Sequence, residues 1–578
     1  MKLTEALKVL QRVAPESTSY DVLLACGFTP LHVQTFLAAH LQQRLPGHRV
    51  KIRTGMYGDV AGTLESVDQG GGLRGVALAL EWFDLDPRLG YRSAGAWNSV
   101  SDFVASARLM LGRIGAAIET LPVGIPIAIS LPTLPLPPVF PPAGWQASAV
   151  ELELQKLVLD FAASALTRRG CGIVNAGSLA RKSPPADRYD FKSDLSAGLP
   201  YTMAHADAVG ELLAQLLVPP APKKGIITDL DDTLWFGIVG EVGPQNVSWD
   251  LSSHRHLHGL YQKLLSTLAS EGVLVAIASK NDPAVASRAL EREDLLIRPQ
   301  QFFPTEISWN AKSGAVSRIL EIWNIGADSV VFVDDSPMEL AEVSSVHPGI
   351  ECILFPKTDP SAGYVLLNRL RDLFGKPRLS EEDALRLESI RQGSSFREAQ
   401  HGGSPSEAFL EQAAAVVTFD FEGVAADARA LELVNKTNQF NLNGQRVSES
   451  EWQTRLSRDG AVSATIAYQD RFGPLGKIAV LQGRKQGNTL VVETWVMSCR
   501  AFARRIELQC LKALFDRYDI AAIQFEFAPT PKNGPIREFL AGLGLPEARP
   551  IISRAEFEQV CAPLYHQVLG LGQMTTIL

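Results

Sequence analysis

GIITDLDDTLWFGIVG, residues 225–240, joins a short apolar run to a cluster of carboxylates. Gly225 to Thr228 follow two lysines and suit a strand covered on both faces. Asp229 and Asp231 come two residues apart, so in extended backbone both side chains fall on one side. In open α/β folds, the loop that leaves the carboxyl end of a parallel strand carries the chemistry.

Three later segments repeat the arrangement in order. The apolar run Val273 to Ala278 leads into Ser279-Lys280-Asn281. Lys312 stands just before the helical stretch AVSRIL, and Val330 to Val333 run into Asp334-Asp335. These residue types fit phosphoryl transfer. Asp229 supplies an oxygen nucleophile, and Asp231 protonates the leaving oxygen and then activates water. Ser279 and Lys312 hold phosphate oxygens, with Lys280 and Asn281 beside them. Converging carboxylates repel one another unless a cation sits among them. Mg2+ is therefore expected, held by Asp229, Asp334 and the backbone carbonyl of Asp231, with Asp335 orienting the site. Thr233 is expected to steady the loop around bound phosphate. The four segments together resemble the motifs of the haloacid dehalogenase (HAD) superfamily.

The 578 residues exceed one core and imply roughly three or four domains. Hydrophobic residues at 46% and charged residues at 20% describe a globular protein, and the formal charge of -8 argues against non-specific nucleic-acid binding. The amino-terminal stretch MKLTEALKVLQRVAPES has no signal-peptide pattern. The most apolar region, Ile114 to Phe140, is broken by Glu119 and prolines, so no membrane helix is expected. The six cysteines show no metal-type pairing, which suits a reducing cytoplasm.

The expected fold is α/β in three domains. Residues 1–218 alternate strand-like and helical stretches and resemble an SGNH-type α/β domain. Cys26 stands where that fold carries its serine nucleophile, and His205 lies near the end, so the domain is expected to be non-catalytic. After the proline-rich break at 219–222, residues 223–375 form the phosphoryl-transfer domain. The intervals from Asp231 to Ser279 and from Ser279 to Lys312 are too short for a lid domain. Residues 376–407 read as a linker with a helix, and 408–578 resemble an N-acetyltransferase (GNAT) fold.

DLDDTLWFGIVGEVG (229–243), ASKND (278–282), SWNAKS (308–313) and VFVDDSP (331–337) are similar to the FkbH-like subfamily of HAD proteins. So are NKTNQFNLN (435–443), DRFGPLGKIAV (470–480), MSCRAFARRIE (497–507) and PTPKNGPIREFL (529–540). The resemblance spans the chain. It implies an enzyme that takes a glyceryl unit from 1,3-bisphosphoglycerate, removes its phosphates and loads the unit on the phosphopantetheine thiol of an acyl carrier protein. Two departures matter. Asp232 stands where the family usually has Asn, and Ala278 stands where it often has Cys. Cys499 then becomes the candidate thiol, and Arg500 and Arg504 candidate grips for the pantetheine phosphate. A plain Mg2+-dependent phosphatase acting on a small phosphate ester is the alternative, and a non-catalytic assembly protein a third.

Overall fold

The computed structural model describes the whole chain except residues 13–16, 68–71, 94–100, 123, 139–142, 377–386, 388–389, 392–406, 472, 499–500, 503 and 571–578. Two compact units form: Met1–Pro220 with Ser448–Trp452, and Ala221–Val447 with Gln453–Leu578. The segment expected to link the domains falls mostly outside the described residues. No helix among those described is long and apolar enough to cross a membrane.

In the first unit, β1 (Thr18–Ala25), β2 (His48–Thr54), β3 (Leu73–Ala79), β4 (Ile127–Ser130) and β5 (Cys171–Ile173) form a parallel sheet in the order β2-β1-β3-β4-β5. Apolar residues fill both faces, as a parallel sheet between helices requires.

In the second unit, β6 (Gly225–Thr228), β7 (Leu274–Ser279), β8 (Phe302–Ile307), β9 (Val330–Asp334) and β10 (Glu351–Leu354) form a parallel sheet in the order β10-β9-β6-β7-β8. Strand alternation sorts the side chains between the two faces. Ile226, Val275, Ile277, Val331 and Val333 pack with Tyr261, Leu265, Leu366 and Phe374 from helices His256–Ser270 and Pro360–Phe374. Ile227, Leu274, Ala276, Ala278 and Phe332 pack with Val316, Ile319 and Trp323 of helix Lys312–Trp323. Connections run outward from β6 in opposite directions, which puts the topological switch between β6 and β9. Thr228 is level there with both Ile277 and Val333, so Asp229 and Asp334 emerge side by side.

No lid domain interrupts this sheet. A four-residue helix and helix His256–Ser270 fill the interval from Asp231 to Ser279, and helix Pro283–Leu290 and β8 fill the next.

The same unit holds a mostly antiparallel sheet of eight strands: β11 (Val416–Asp420), β12 (Phe440–Asn441), β13 (Ala461–Asp470), β14 (Gly473–Gln486), β15 (Thr489–Met497), β16 (Ala522–Phe525), β17 (Ile551–Ser553) and β18 (Gln567–Leu569). β15 and β16 run parallel only from Thr489 to Val492 and then part. β12 occupies the resulting fork. It pairs with Val496 and Met497, Leu442 N donates to Trp495 O at 2.9 Å, and Leu442 O accepts from Ala528 N at 3.2 Å. At the parting point Asn443 Nδ2 donates to Glu493 O at 2.9 Å and Glu526 O at 3.3 Å.

Candidate phosphoryl-transfer site

Lys312 is the centre of the site. It opens its helix, its side chain is only 2% exposed, and its ammonium lies 2.9 Å from Asp229 Oδ2 and 2.6 Å from Asp334 Oδ2. It also contacts Glu339, on the first turn of helix Pro337–Val346. A lysine buried this deeply stays charged because carboxylates surround it, and Asp229 and Asp334 raise its pKa against the effect of burial. Burial pushes Asp229 up to about 7, with Asp334 adding to the rise and Lys312 opposing it.

Asp231 is placed differently. Its Oδ1 accepts from Trp235 Nε1 at 2.9 Å and Val239 N at 3.0 Å, and its Oδ2 accepts from Asn281 Nδ2 at 3.1 Å. Asn281 also donates to Ser279 Oγ at 3.1 Å, so one amide positions both the expected acid–base group and a phosphate-binding hydroxyl. Thr233 is fully buried and its carbonyl accepts from His258 Nδ1 at 3.0 Å, which fixes the loop to helix His256–Ser270.

The carboxylate set includes one residue that the sequence reading did not single out, Glu339. The carboxylates that converge within 4.8 Å are Asp229, Asp334 and Glu339. Asp335 points instead to Lys357, at 2.8 Å. Consecutive residues at a strand end diverge, so Asp334 and Asp335 do not share one ion. Glu339 was hidden by its local context. Ser336 caps the helix and accepts from Glu339 N, so Ser-Pro-Met-Glu reads as an ordinary helix start. Lys280, expected to bind phosphate, lies 3.0 Å from Glu339 Oε1 and holds that carboxylate in place. Burial pushes Glu339 up, but Lys312 and Lys280 bring it below its usual value.

The cluster fits a hard divalent cation. Its donors are all oxygens, two ammonium groups against three carboxylates still leave net negative charge, and Asp229 Oδ1 is buried without a hydrogen-bond partner. An oxygen-only set suits Mg2+.

The remaining candidates lie elsewhere. Ala278 faces the core beneath helix Lys312–Trp323, so a thiol at this position would face the core as well. Cys499 and Arg500 lie outside the described residues. Arg504 is corrected: it is 3% exposed and turned inward to Asp470 at 3.4 Å, and is not presented to a ligand. In the first unit, burial pushes the Cys26 thiol up to about 12. His205 is wholly buried between Thr133 Oγ1 at 2.8 Å and Ser183 Oγ at 2.9 Å. The other described cysteines are free.

The second unit thus joins an open parallel α/β sheet to a cluster of carboxylates at its switch point. The chain is similar to the N-terminal part of protein BF1531 from Bacteroides fragilis, which contains a phosphatase domain and was crystallised with Mg. The likeness covers 65% of this chain and 99% of that one, with 18% identity and a TM-score of 0.52. An extracellular lipase from Streptomyces rimosus (14% identity, 34% of this chain, 98% of that one, TM-score 0.24) and a carbohydrate acetylesterase from Sinorhizobium meliloti (13%, 34%, 97%, 0.20) also match. No family model and no curated protein matches the sequence.

Proposed function

We propose that the chain is a Mg2+-dependent phosphatase and glyceryl transferase serving an acyl carrier protein. The observation that carries the reading is the buried group of Asp229, Ser279, Lys312 and Asp334, with the half-buried Asp231 tied to it through Asn281, at an uncapped mouth. Open access suits a substrate borne on a protein, since lids enclose small substrates. The resemblance of the chain's motifs to the FkbH-like family supplies the glyceryl donor and the carrier. It also suggests a GNAT-like role for the carboxyl-terminal sheet.

In the phosphatase half, Asp229 attacks phosphorus as the bond to the leaving oxygen breaks, and Asp231 gives that oxygen a proton. Asp231 then takes a proton from the water that attacks the aspartyl phosphate, releasing phosphate and restoring Asp229. Ser279 and Lys312 hold the transferring group. A Mg2+ ion held by Asp229, Asp334 and Glu339 would supply positive charge for the phosphoryl oxygens and favour the ionised form of Asp229. In the transfer half, the carrier thiolate attacks the acyl carbon of the glyceryl phosphate anhydride. A thioester forms and phosphate leaves, with no enzyme cysteine required.

Mass spectrometry of a holo-carrier protein incubated with enzyme, Mg2+ and 1,3-bisphosphoglycerate tests the reading. A glyceryl adduct is expected on the pantetheine thiol. An unmodified arm alongside released phosphate would leave a plain phosphatase. Asp229→Asn is expected to fold and to lose phosphate release by a factor of 1000 or more, on the order seen when a covalent nucleophile is removed.

A further inference from the structure

The loop after β10 brings in a lysine that no motif includes. Lys357 Nζ lies 2.8 Å from Asp232 Oδ2 and 2.8 Å from Asp335 Oδ2. The two carboxylates sit on different loops. Asp232 directly follows Asp231 beyond β6, and Asp335 directly follows Asp334 at the end of β9. Asp232 is anchored twice more: its Oδ1 accepts from Gly237 N at 2.9 Å, and its backbone takes a left-handed φ of 52°, which Asp and Asn tolerate best. The base of Lys357 is fixed as well. Phe355 is buried, donates its N–H to Asp334 O at 2.8 Å and packs on Tyr261, and its carbonyl accepts from Lys357 N at 3.0 Å.

We propose that Lys357 is a positioning residue: it ties the loop bearing Asp229 and Asp231 to the loop bearing Asp334, and so sets the spacing across which a divalent cation is held. The inference rests on the carboxylate cluster as a cation site and not on the carrier-protein reading. A lysine in this place has two opposite possible effects on Mg2+. As a charge alone, it repels the cation, so its removal would tighten binding. As a tie between loops, its removal lets the ligands drift and weakens binding. The Lys357 side chain is 39% exposed, so its charge is partly screened by solvent and the geometric effect is the larger one.

Titration calorimetry with MgCl2 on the full chain separates the two. Lys357→Met is expected to weaken Mg2+ binding about tenfold, as loss of a partner behind metal ligands commonly does. It is also expected to lower kcat for phosphate release more than it changes KM. Lys357→Arg, which still reaches both carboxylates, is expected to recover most of the affinity, and Lys357→Gln to fall between. Unchanged or tighter Mg2+ binding in both Lys357→Met and Lys357→Gln would overturn the tie while leaving the cation site standing. No Mg2+ binding by the wild type would overturn both.

Discussion

Glu339 is held by two ammonium groups, Lys312 and Lys280, at one edge of the carboxylate cluster. Glu339→Gln keeps the shape and removes one anionic ligand. The expected result is a roughly 10- to 100-fold rise in the Mg2+ concentration needed for half-maximal activity. An unchanged Mg2+ requirement would move the ion away from this edge. At this scale the sequence was legible where chemistry dictates spacing: Asp229 and Asp334 leave neighbouring strand ends and both meet Lys312, while Asn281 joins Ser279 to Asp231. It was not legible where a functional residue also satisfies a local rule, as Glu339 does as a helix-start carboxylate. Lys357 gave no signal at all, because its two partners lie 125 and 22 positions away.

The first residue of β6 sets how closely the Lys312 helix approaches the sheet. A Cβ on Gly225 would stand 2.4 Å from the Trp323 ring, whose indole N–H is fixed on Phe303 O at 2.7 Å. Gly225→Ala is expected to destabilise the fold by about 1–3 kcal/mol through overpacking. It should also depress activity by shifting the helix that presents Lys312. Chemical denaturation with parallel rate measurements checks both, and wild-type stability would show that the ring gives way freely. Strands and helices here follow from long apolar runs, and the separation of Ser279 from Ala278 follows from simple alternation. β12 does not follow, since two residues carry no period and its pairing is set by partners more than 50 positions away.

Over the whole chain, α/β alternation and the proline-rich break were readable. The grouping of Ser448–Trp452 with Met1–Pro220 was not, because it rests on contacts that local pattern does not encode. Scanning calorimetry is expected to resolve two transitions. Mg2+ at about 100 times its Kd should raise the one containing Asp229 by about 2.7 kcal/mol and leave the other in place. A single metal-independent transition would contradict this. His205 marks the other unit. Burial lowers its pKa from 6.5 to about 3, with Arg188 adding to the effect. The unfolded chain therefore takes up a proton first on acidification. The stability contribution is complete above pH 6.5 and falls as pH drops toward 3, by roughly 3 kcal/mol at about pH 4.5. The stability difference between wild type and His205→Gln should shrink by that amount over the same range.

The fork between β15 and β16 contains a strand that belongs to the same chain, clasped by Asn443 and by the two backbone bonds of Leu442. A tethered occupant competes at an effective concentration of about millimolar or more, against which a diffusing arm of micromolar affinity has little advantage. Under the proposed function, an acyl-bearing arm that is to lie along β15 would need delivery by a docked carrier, whose own attachment would raise the local concentration of the arm to match.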